Sequence, residues 1–379
     1  MKVEKIIVIV CTMLLTMFGL ALNASVITTN SSFFVKSVFV VFLGLGIMLF
    51  IVRFFNLNYL KNGFIYVFSG IVLILLLVYI LRYGKVINGA SRWLYIGGFS
   101  LQVSEFAKLY IVTMLSYVIY KYYKNETIQL FAYGTVLFIS MLVLLEPDLG
   151  MSVFFVIVST LMFYLAGLFN LAKIKFIGIT FGVAIVTVMI GYSFSSKIHN
   201  KINSMVSYQS SRIERYVDMV LHKNETLGVN PWSSSDGYAG AYSEQYFKVK
   251  RAIENATWLG SGFSQGSYTK YLPAKHNDYI SVLALEESGI AGVLVLGFLF
   301  LTLFLAIIKI SFSSESVFDH YITLGIGIMI FLQALLHFGV NFQIFPEKGI
   351  SLPFVSYGGS SYLTNIIMIG LVLKARIKG

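Results

Sequence analysis

Along this chain apolar residues run nearly unbroken for about twenty positions at a time, and short polar stretches separate the runs. Runs of roughly 17–25 apolar residues are what a helix needs to cross a hydrocarbon layer. They fall near residues 5–23, 34–53, 64–83, 104–121, 128–146, 150–169, 174–194, 288–311, 319–342 and 361–376. β-branched stretches such as Ile6-Ile7-Val8-Ile9-Val10 lie inside these runs, where lipid obliges the backbone to satisfy itself as helix. The pattern predicts an all-α, polytopic integral membrane protein of about ten transmembrane helices. It forms a single membrane domain, residues 1–379, with a large external loop, residues 195–277, between spans 7 and 8.

Composition points the same way: 57% of residues are hydrophobic and 12% charged, which excludes a soluble domain with a large core. The first span opens with Lys2 and Lys5, as a signal peptide would, but its apolar run is long and no Ala-x-Ala site follows, so an uncleaved anchor is expected. Cys11 is the single cysteine, and an intramolecular disulfide is therefore excluded.

Lys and Arg in short loops are retained on the cytoplasmic side. Starting inside puts Lys2, Lys5, Arg53, Lys61, Lys121, Lys124, Lys173, Lys175, Lys309, Lys374, Arg376 and Lys378 there. Both termini are then cytoplasmic and the loop 195–277 is extracytoplasmic. That loop is net basic by four and carries aromatic residues including Tyr208, Tyr216, Trp232 and Trp258. It is either a solvated cap touching anionic headgroups or a site for a pyrophosphate-bearing lipid, whose oxygens guanidinium and ammonium groups would neutralise. The net charge of +11 is largely topology signal and does not argue for nucleic acid. No metal-ligand spacing, phosphate-cradling glycine motif or dinucleotide fingerprint appears.

Four polar constellations interrupt the external ends of the spans. Leu272-Pro273-Ala274-Lys275-His276-Asn277-Asp278-Tyr279 runs into Ile280-Ser281 and on to Glu286-Glu287-Ser288-Gly289. An acid where a loop enters the bilayer is costly to keep, which makes Asp278 the first candidate for chemistry. Asn88 through Trp93 precede Ser104-Glu105-Phe106-Ala107-Lys108, where Ser104 is a candidate N-cap and Glu105 and Lys108 share one helical face. Glu146-Pro147-Asp148-Leu149-Gly150 suits a tight interhelical turn, with Asp148 capping the next helix. Finally, Phe345 through Ser361 contains two prolines and three glycines. It reads as a re-entrant loop forming one wall of a site, since irregular backbone at membrane depth must line a cavity or be buried in protein.

These four blocks, in this order and on this ten-span plan, resemble the signature blocks of the SEDS family (shape, elongation, division and sporulation), whose members include RodA, FtsW and SpoVE. The resemblance covers essentially the whole chain. The family's essential acid, in its Leu-Pro-Glu-x-His-Thr-Asp-Phe block, falls on Asp278. The acid and lysine of its Gln-Pro-Ser-Glu-Phe-x-Lys block fall on Glu105 and Lys108, its Arg-Trp pair on Arg92-Trp93, and its Pro-Asp-Leu-Gly on Pro147 through Gly150. The resemblance implies a peptidoglycan glycosyltransferase that polymerises lipid II outside the bacterial cytoplasmic membrane. It also implies a class B penicillin-binding protein as transpeptidase partner, among other elongation, division or sporulation membrane proteins.

The implied chemistry suits the residues. Glycan extension needs the 4-hydroxyl of one lipid-linked disaccharide to attack the anomeric carbon of another, with inversion and loss of undecaprenyl pyrophosphate. Asp278 is the candidate general base. Glu105, Lys108, Arg92, Asp148, Lys275, His276, Arg212, Arg215, Ser356 and Tyr357 are the candidate substrate-binding residues. A divalent cation, Mg or Mn, bridging Asp278 and the pyrophosphate is compatible with this set, although no spacing demands one. Several positions depart from the family pattern: Val103 replaces a usual Pro, His337 a usual Asn, Ala256-Thr257 a common Gly-Gly, and Glu244-Gln245 a common Tyr-Gln. A lipid II flippase and a non-catalytic scaffold for a transpeptidase are the alternative functions.

Overall fold

A computed structural model describes residues 2–26, 31–84, 92–96, 99–168, 245, 248–269, 272, 275–345 and 349–378. Among the described residues nine long helices follow in order. These are α1 (Val3–Ser25), α2 (Ser31–Phe54), α3 (Gly63–Tyr83), α4 (Val103–Lys121), α5 (Glu126–Leu145), α6 (Leu149–Leu165), α7 (Ile280–Phe312), α8 (Val317–Asn341) and α9 (Gly359–Lys374). Seven are long and apolar enough to cross a membrane, while α6 and α9 are shorter apolar helices. The expected span at 174–194 lies outside the described residues, with most of the loop 195–277.

Short polar connections set where helices start. The side chains of Asn62, Asn125, Asp148 and Ser316 each accept a hydrogen bond from a backbone N–H in the first turn of α3, α5, α6 and α8, as N-caps do. Ser104 is not a cap. Helix α4 begins one residue earlier, at Val103, and the Ser104 hydroxyl instead accepts from Gln102 Nε2 at 3.1 Å. Val103 is therefore the first helical residue, the position where proline's missing N–H costs nothing, so exchanging the family's Pro for Val leaves this start intact. One element adds to the all-helical expectation. Strands β1 (Trp93–Ile96) and β2 (Phe99–Gln102) pair antiparallel, with Ile96 opposite Phe99.

The least apolar helices lie innermost. Helices α4 and α8 bury 78% and 72% of their apolar windows, against 22% and 28% for α2 and α3. Polar side chains within a span must face protein rather than lipid, and α4 and α8 carry Glu105, Lys108, Gln333, His337 and Asn341, all buried. Around them α9 packs on α2, α7 on α1 and α8, and α6 on α5.

Both termini lie on one face. Lys2 donates to the Lys378 carbonyl, and Lys5 Nζ donates to Ala375 O at 2.8 Å. Lys374 Nζ donates to Val52 O at 3.0 Å, and Glu4 pairs with Lys309 at 2.8 Å. Lysines that meet the last carbonyls of α2 and α9 also answer the negative ends of those helix dipoles. The ends of α3, α5 and α8, and the starts of α4, α6, α7 and α9, lie on the opposite face, where the polar constellations collect.

Helix α7 is broken where the expected span began. Gly289 has φ 70 and ψ −172 inside it, and the hydrogen bonds lost at the break are replaced by residues 257–262. Ser261 N and Gly262 N donate to Glu286 O and Glu287 O at 2.8 and 3.0 Å, while Ile290 N and Ala291 N donate to Thr257 O and Trp258 O at 3.1 Å each. The two backbones cross glycine to glycine. A Cβ on Gly289 would stand 2.4 Å from Gly260 N and from Trp258 O, and one on Gly260 2.5 Å from Glu287 O. The Glu286 carboxylate secures the next turn of the segment, accepting from the N–H groups of Ser267, Tyr268 and Thr269 at 2.6, 2.7 and 2.8 Å. Glu287 accepts from Ser264 N at 3.1 Å. The positive φ angles here belong to Gly260, Gly262 and Ser264; Ala256 and Thr257 have ordinary backbone, so their replacement of Gly-Gly costs this crossing nothing.

Two substitutions test the crossing. Gly289→Ala is expected to destabilise the protein by about 2–3 kcal/mol or more, from a glycine-only conformation and backbone contact, with new protease sensitivity near 257–262. Gly297→Ala, eight residues on with open space around it, is expected to be neutral in the same thermal unfolding assay. Glu286→Gln turns an amide donor towards three N–H donors. An expected loss of about 1.5–3 kcal/mol would appear as a lowered unfolding midpoint and cleavage at 264–269.

Candidate functional site

One face of α8 carries three buried polar side chains spaced four apart: Gln333, His337 and Asn341. Each holds a different piece of the half of the molecule opposite the termini. Gln333 Oε1 accepts from Lys108 Nζ at 2.8 Å, and Gln333 Nε2 donates to Ser351 O at 2.8 Å. His337 Nδ1 donates to Ile350 O at 2.6 Å. Asn341 Nδ2 donates to Asp278 O at 2.8 Å. Lys108 is fully buried and pairs with Glu105 at 2.5 Å. Removing either partner would strand a buried charge, at a cost of about 3–5 kcal/mol.

The segment 349–358 between α8 and α9 is irregular and largely buried. Phe354 has φ 64, a conformation bulky residues avoid and that surrounding structure must impose. The Ser351 hydroxyl meets the Ser361 hydroxyl at 2.7 Å, and Leu352 N donates to Ser356 Oγ at 2.8 Å. Protein groups satisfy its backbone at Ile350 O, Ser351 O and Leu352 N, as irregular backbone buried among helices requires.

This wall grips the segment bearing Asp278. Tyr357 N donates to His276 O at 2.9 Å, Ser356 Oγ to Asn277 O at 2.8 Å, and Asn341 to Asp278 O. Three successive carbonyls are thus held by three donors. Gly349 lies against the carboxylate, since a Cβ there would stand 3.2 and 3.4 Å from the two Asp278 oxygens. The His276 ring meets the Tyr357 ring edge-on at 5.6 Å between centroids. Burial, and then the neighbouring Lys275 charge, push the His276 pKa below the ordinary histidine value. Burial raises that of Tyr357.

Arg92 joins the other two constellations. Its Nε donates to Glu146 O at 3.1 Å, a terminal nitrogen donates to Pro147 O, and its guanidinium lies 3.7 Å from Asp148 Oδ2. Asp148 caps α6 through Met151 N at 3.2 Å.

The candidate residues therefore divide. Asp278, His276, Ser356 and Tyr357 meet in one cluster, and Glu105 and Lys108 join it through Gln333. Arg92 and Asp148 form a separate brace on the α5–α6 turn. Lys275 adjoins His276 in the chain and acts on it electrostatically. Arg212 and Arg215 lie outside the described residues, as do Glu244 and Pro346 through Lys348. His337 is an interior histidine whose Nδ1–H does for Ile350 O what an amide donor would. Asn341, Ser351 and Ser361 were missed by sequence reasoning, although a polar residue every four positions through an apolar span was a signal available for Asn341.

The chain is similar to known proteins along most of its length. The chain is 31% identical over 316 residues to the probable peptidoglycan glycosyltransferase FtsW of Hydrogenovibrio crunogenus, covering 81% of this chain and 73% of that one. It is 28% identical over 392 residues to the protein of the same description from Geobacter sp. (strain M18), covering 98% and 97%. Among solved structures it superposes on Thermus thermophilus rod shape determining protein RodA with a TM-score of 0.63 at 20% identity, covering 97% of this chain and 94% of that one. It superposes also on a chain of a peptidoglycan synthase complex that coordinates polymerization and crosslinking, with a TM-score of 0.67 at 20% identity, covering 97% and 96%. At that identity the superpositions establish the polytopic membrane fold. Residues 3–378 match the FtsW/RodA/SpoVE family of cell cycle proteins, and the chain belongs to that family.

Proposed function

We propose that this protein is a peptidoglycan glycosyltransferase that polymerises lipid II on the outer face of the bacterial cytoplasmic membrane, with both termini in the cytoplasm and Asp278 as general base. The observation that carries the reading is the grip on residues 276–278. An acid at the membrane edge is held by three hydrogen bonds to consecutive carbonyls, on the face opposite the lysine-rich termini. Positively charged short segments favour the cytoplasm, which supports an outer location for the Asp278 cluster.

In the reaction, the 4-hydroxyl of the acceptor disaccharide attacks C1 of the donor sugar. Its proton passes to the Asp278 carboxylate as the new C1–O bond forms. The C1–O bond to pyrophosphate breaks on the opposite face of the ring, and undecaprenyl pyrophosphate leaves with the electron pair. A positioned base contributes most when the hydroxyl proton becomes acidic in the transition state. Developing charge on pyrophosphate calls for cations, and Lys275, with Arg212 and Arg215 of the external loop, are the residues proposed to supply it. Lys108, wholly buried between Glu105 and Gln333, is proposed as a brace rather than a phosphate ligand. Among the described residues no three His, Cys, Asp or Glu side chains cluster to hold a metal ion. Asp278 would therefore offer a divalent cation one carboxylate, and the pyrophosphate would supply further oxygens. A class B penicillin-binding protein is the proposed partner, consistent with the similarity to a chain of a synthase complex that couples polymerization to crosslinking.

Lipid II polymerisation by the full-length protein, co-expressed with its transpeptidase partner, tests the reading. Asp278→Asn is expected to lose about 10²–10⁴-fold in rate while folding normally; glycan strands made at the wild-type rate would remove Asp278 from the chemistry. A second expectation follows from His276. A histidine whose folded-state pKa lies below its unfolded value binds fewer protons when folded, so its contribution is complete above about pH 6.5 and is lost as pH falls through the folded pKa. His276→Gln should therefore flatten the loss of thermal stability between about pH 7 and 5, and an unchanged pH slope would count against the buried neutral imidazole.

A further inference from the structure

Asn341 is the last residue of α8, and it is 1% exposed. Its amide could be satisfied locally, and one bond is local, to His337 O one turn back at 3.1 Å. The other crosses to the carbonyl of Asp278 at 2.8 Å. With Asn277 O held by Ser356 and Asp278 O by Asn341, the peptide planes on both sides of the Asp278 Cα are fixed, and with them the direction in which its Cα–Cβ bond points. Gly349 backbone then limits where the carboxylate swings, since even a methyl group there would touch both oxygens.

We propose that Asn341 is a positioning residue for Asp278, the third rung of an α8 ruler that sets the base at a fixed distance from the buried Glu105–Lys108 pair. Gln333 holds Lys108 and Ser351, His337 holds Ile350, and Asn341 holds Asp278. At 1.5 Å of rise per residue the first and third rungs stand about 12 Å apart along the axis. The loop that grips His276 and Asn277 hangs from the first two rungs, so α8 sets the placement of all three carbonyls. A neutral amide donor is what this position requires. An aspartate would face a carbonyl with negative charge, and a leucine of similar size would withdraw the bond.

The inference rests on Asp278 being the base, and its test separates the two. Full-length protein, co-expressed with its transpeptidase partner, is assayed for lipid II polymerisation as Asn341→Leu, Ser356→Ala, Asp278→Asn and the Asp278→Asn/Asn341→Leu double variant. Misplacing a catalytic group by about 1 Å can cost about 10²-fold, so Asn341→Leu is expected to lower kcat by about that factor with KM for lipid II within about twofold. The double variant is expected to be no slower than Asp278→Asn alone, because a positioning residue has nothing left to position. Wild-type kcat in Asn341→Leu beside an inactive Asp278→Asn would overturn the positioning role and leave the base standing. A double variant slower than Asp278→Asn by the full Asn341→Leu factor would also overturn it, as a general structural defect. Turnover by Asp278→Asn at the wild-type rate would overturn both. Should Asn341→Leu fail to fold, Ser356→Ala decides: it releases the adjacent carbonyl, so a lowered kcat at unchanged KM supports the cradle and an unchanged kcat overturns it.

Discussion

Lipid offers no hydrogen bonds, so every backbone break and every charge within the membrane depth of this protein has to be answered by another part of the chain. The break at Gly289 shows how far that constraint reaches. Four backbone groups released on either side of it are taken up by residues 257–262, and the exchange is close enough that only glycines fit where the strands of chain cross. Residues 257–262 are thereby locked to α7 about three helical turns after Asp278. Glu286 and Glu287, on the last turn before the break, extend the lock along 264–269.

The same constraint explains the interior. Lys108 and Glu105 could not face lipid, so the helix that carries them lies at the centre of the bundle, against α8, whose own polar face is opposite. Once a charged pair and three polar side chains occupy that interface, their geometry is tightly specified, because a partly satisfied buried network is costlier than an apolar one. The irregular loop 349–358 completes the network rather than interrupting it, accepting from Gln333 and His337 and donating to the Asp278 segment. A strained residue such as Phe354 is tolerated in a loop held from so many directions.

Two braces hold the face opposite the termini. Arg92 ties the residue preceding the β-hairpin to the α5–α6 turn, making a rigid rim from two constellations that lie 54 residues apart in the chain. The polar face of α8 and the loop 349–358 make the other brace, which holds Asp278. The proposed glycosyl transfer would need such fixed geometry at Asp278, since only well-aligned reactants gain the advantage of proximity.

Apolar run lengths by themselves determined the helical class and the bounds of most spans, because the hydrocarbon thickness dictates how long a run must be. The caps at Asp148 and the i, i+3 pairing of Glu105 with Lys108 were equally legible, being local consequences of helix geometry. Asp278 stood out through the cost of an acid at the membrane edge. Tertiary structure alone decided the rest. That Lys108 braces Gln333, that Arg92 belongs to Asp148's turn, and that Ser356, Tyr357 and Asn341 converge on consecutive carbonyls are contacts across 54 to 225 residues of chain. Hydropathy is blind to them, because it registers how much each segment avoids water but not which polar group must find which partner once water is gone.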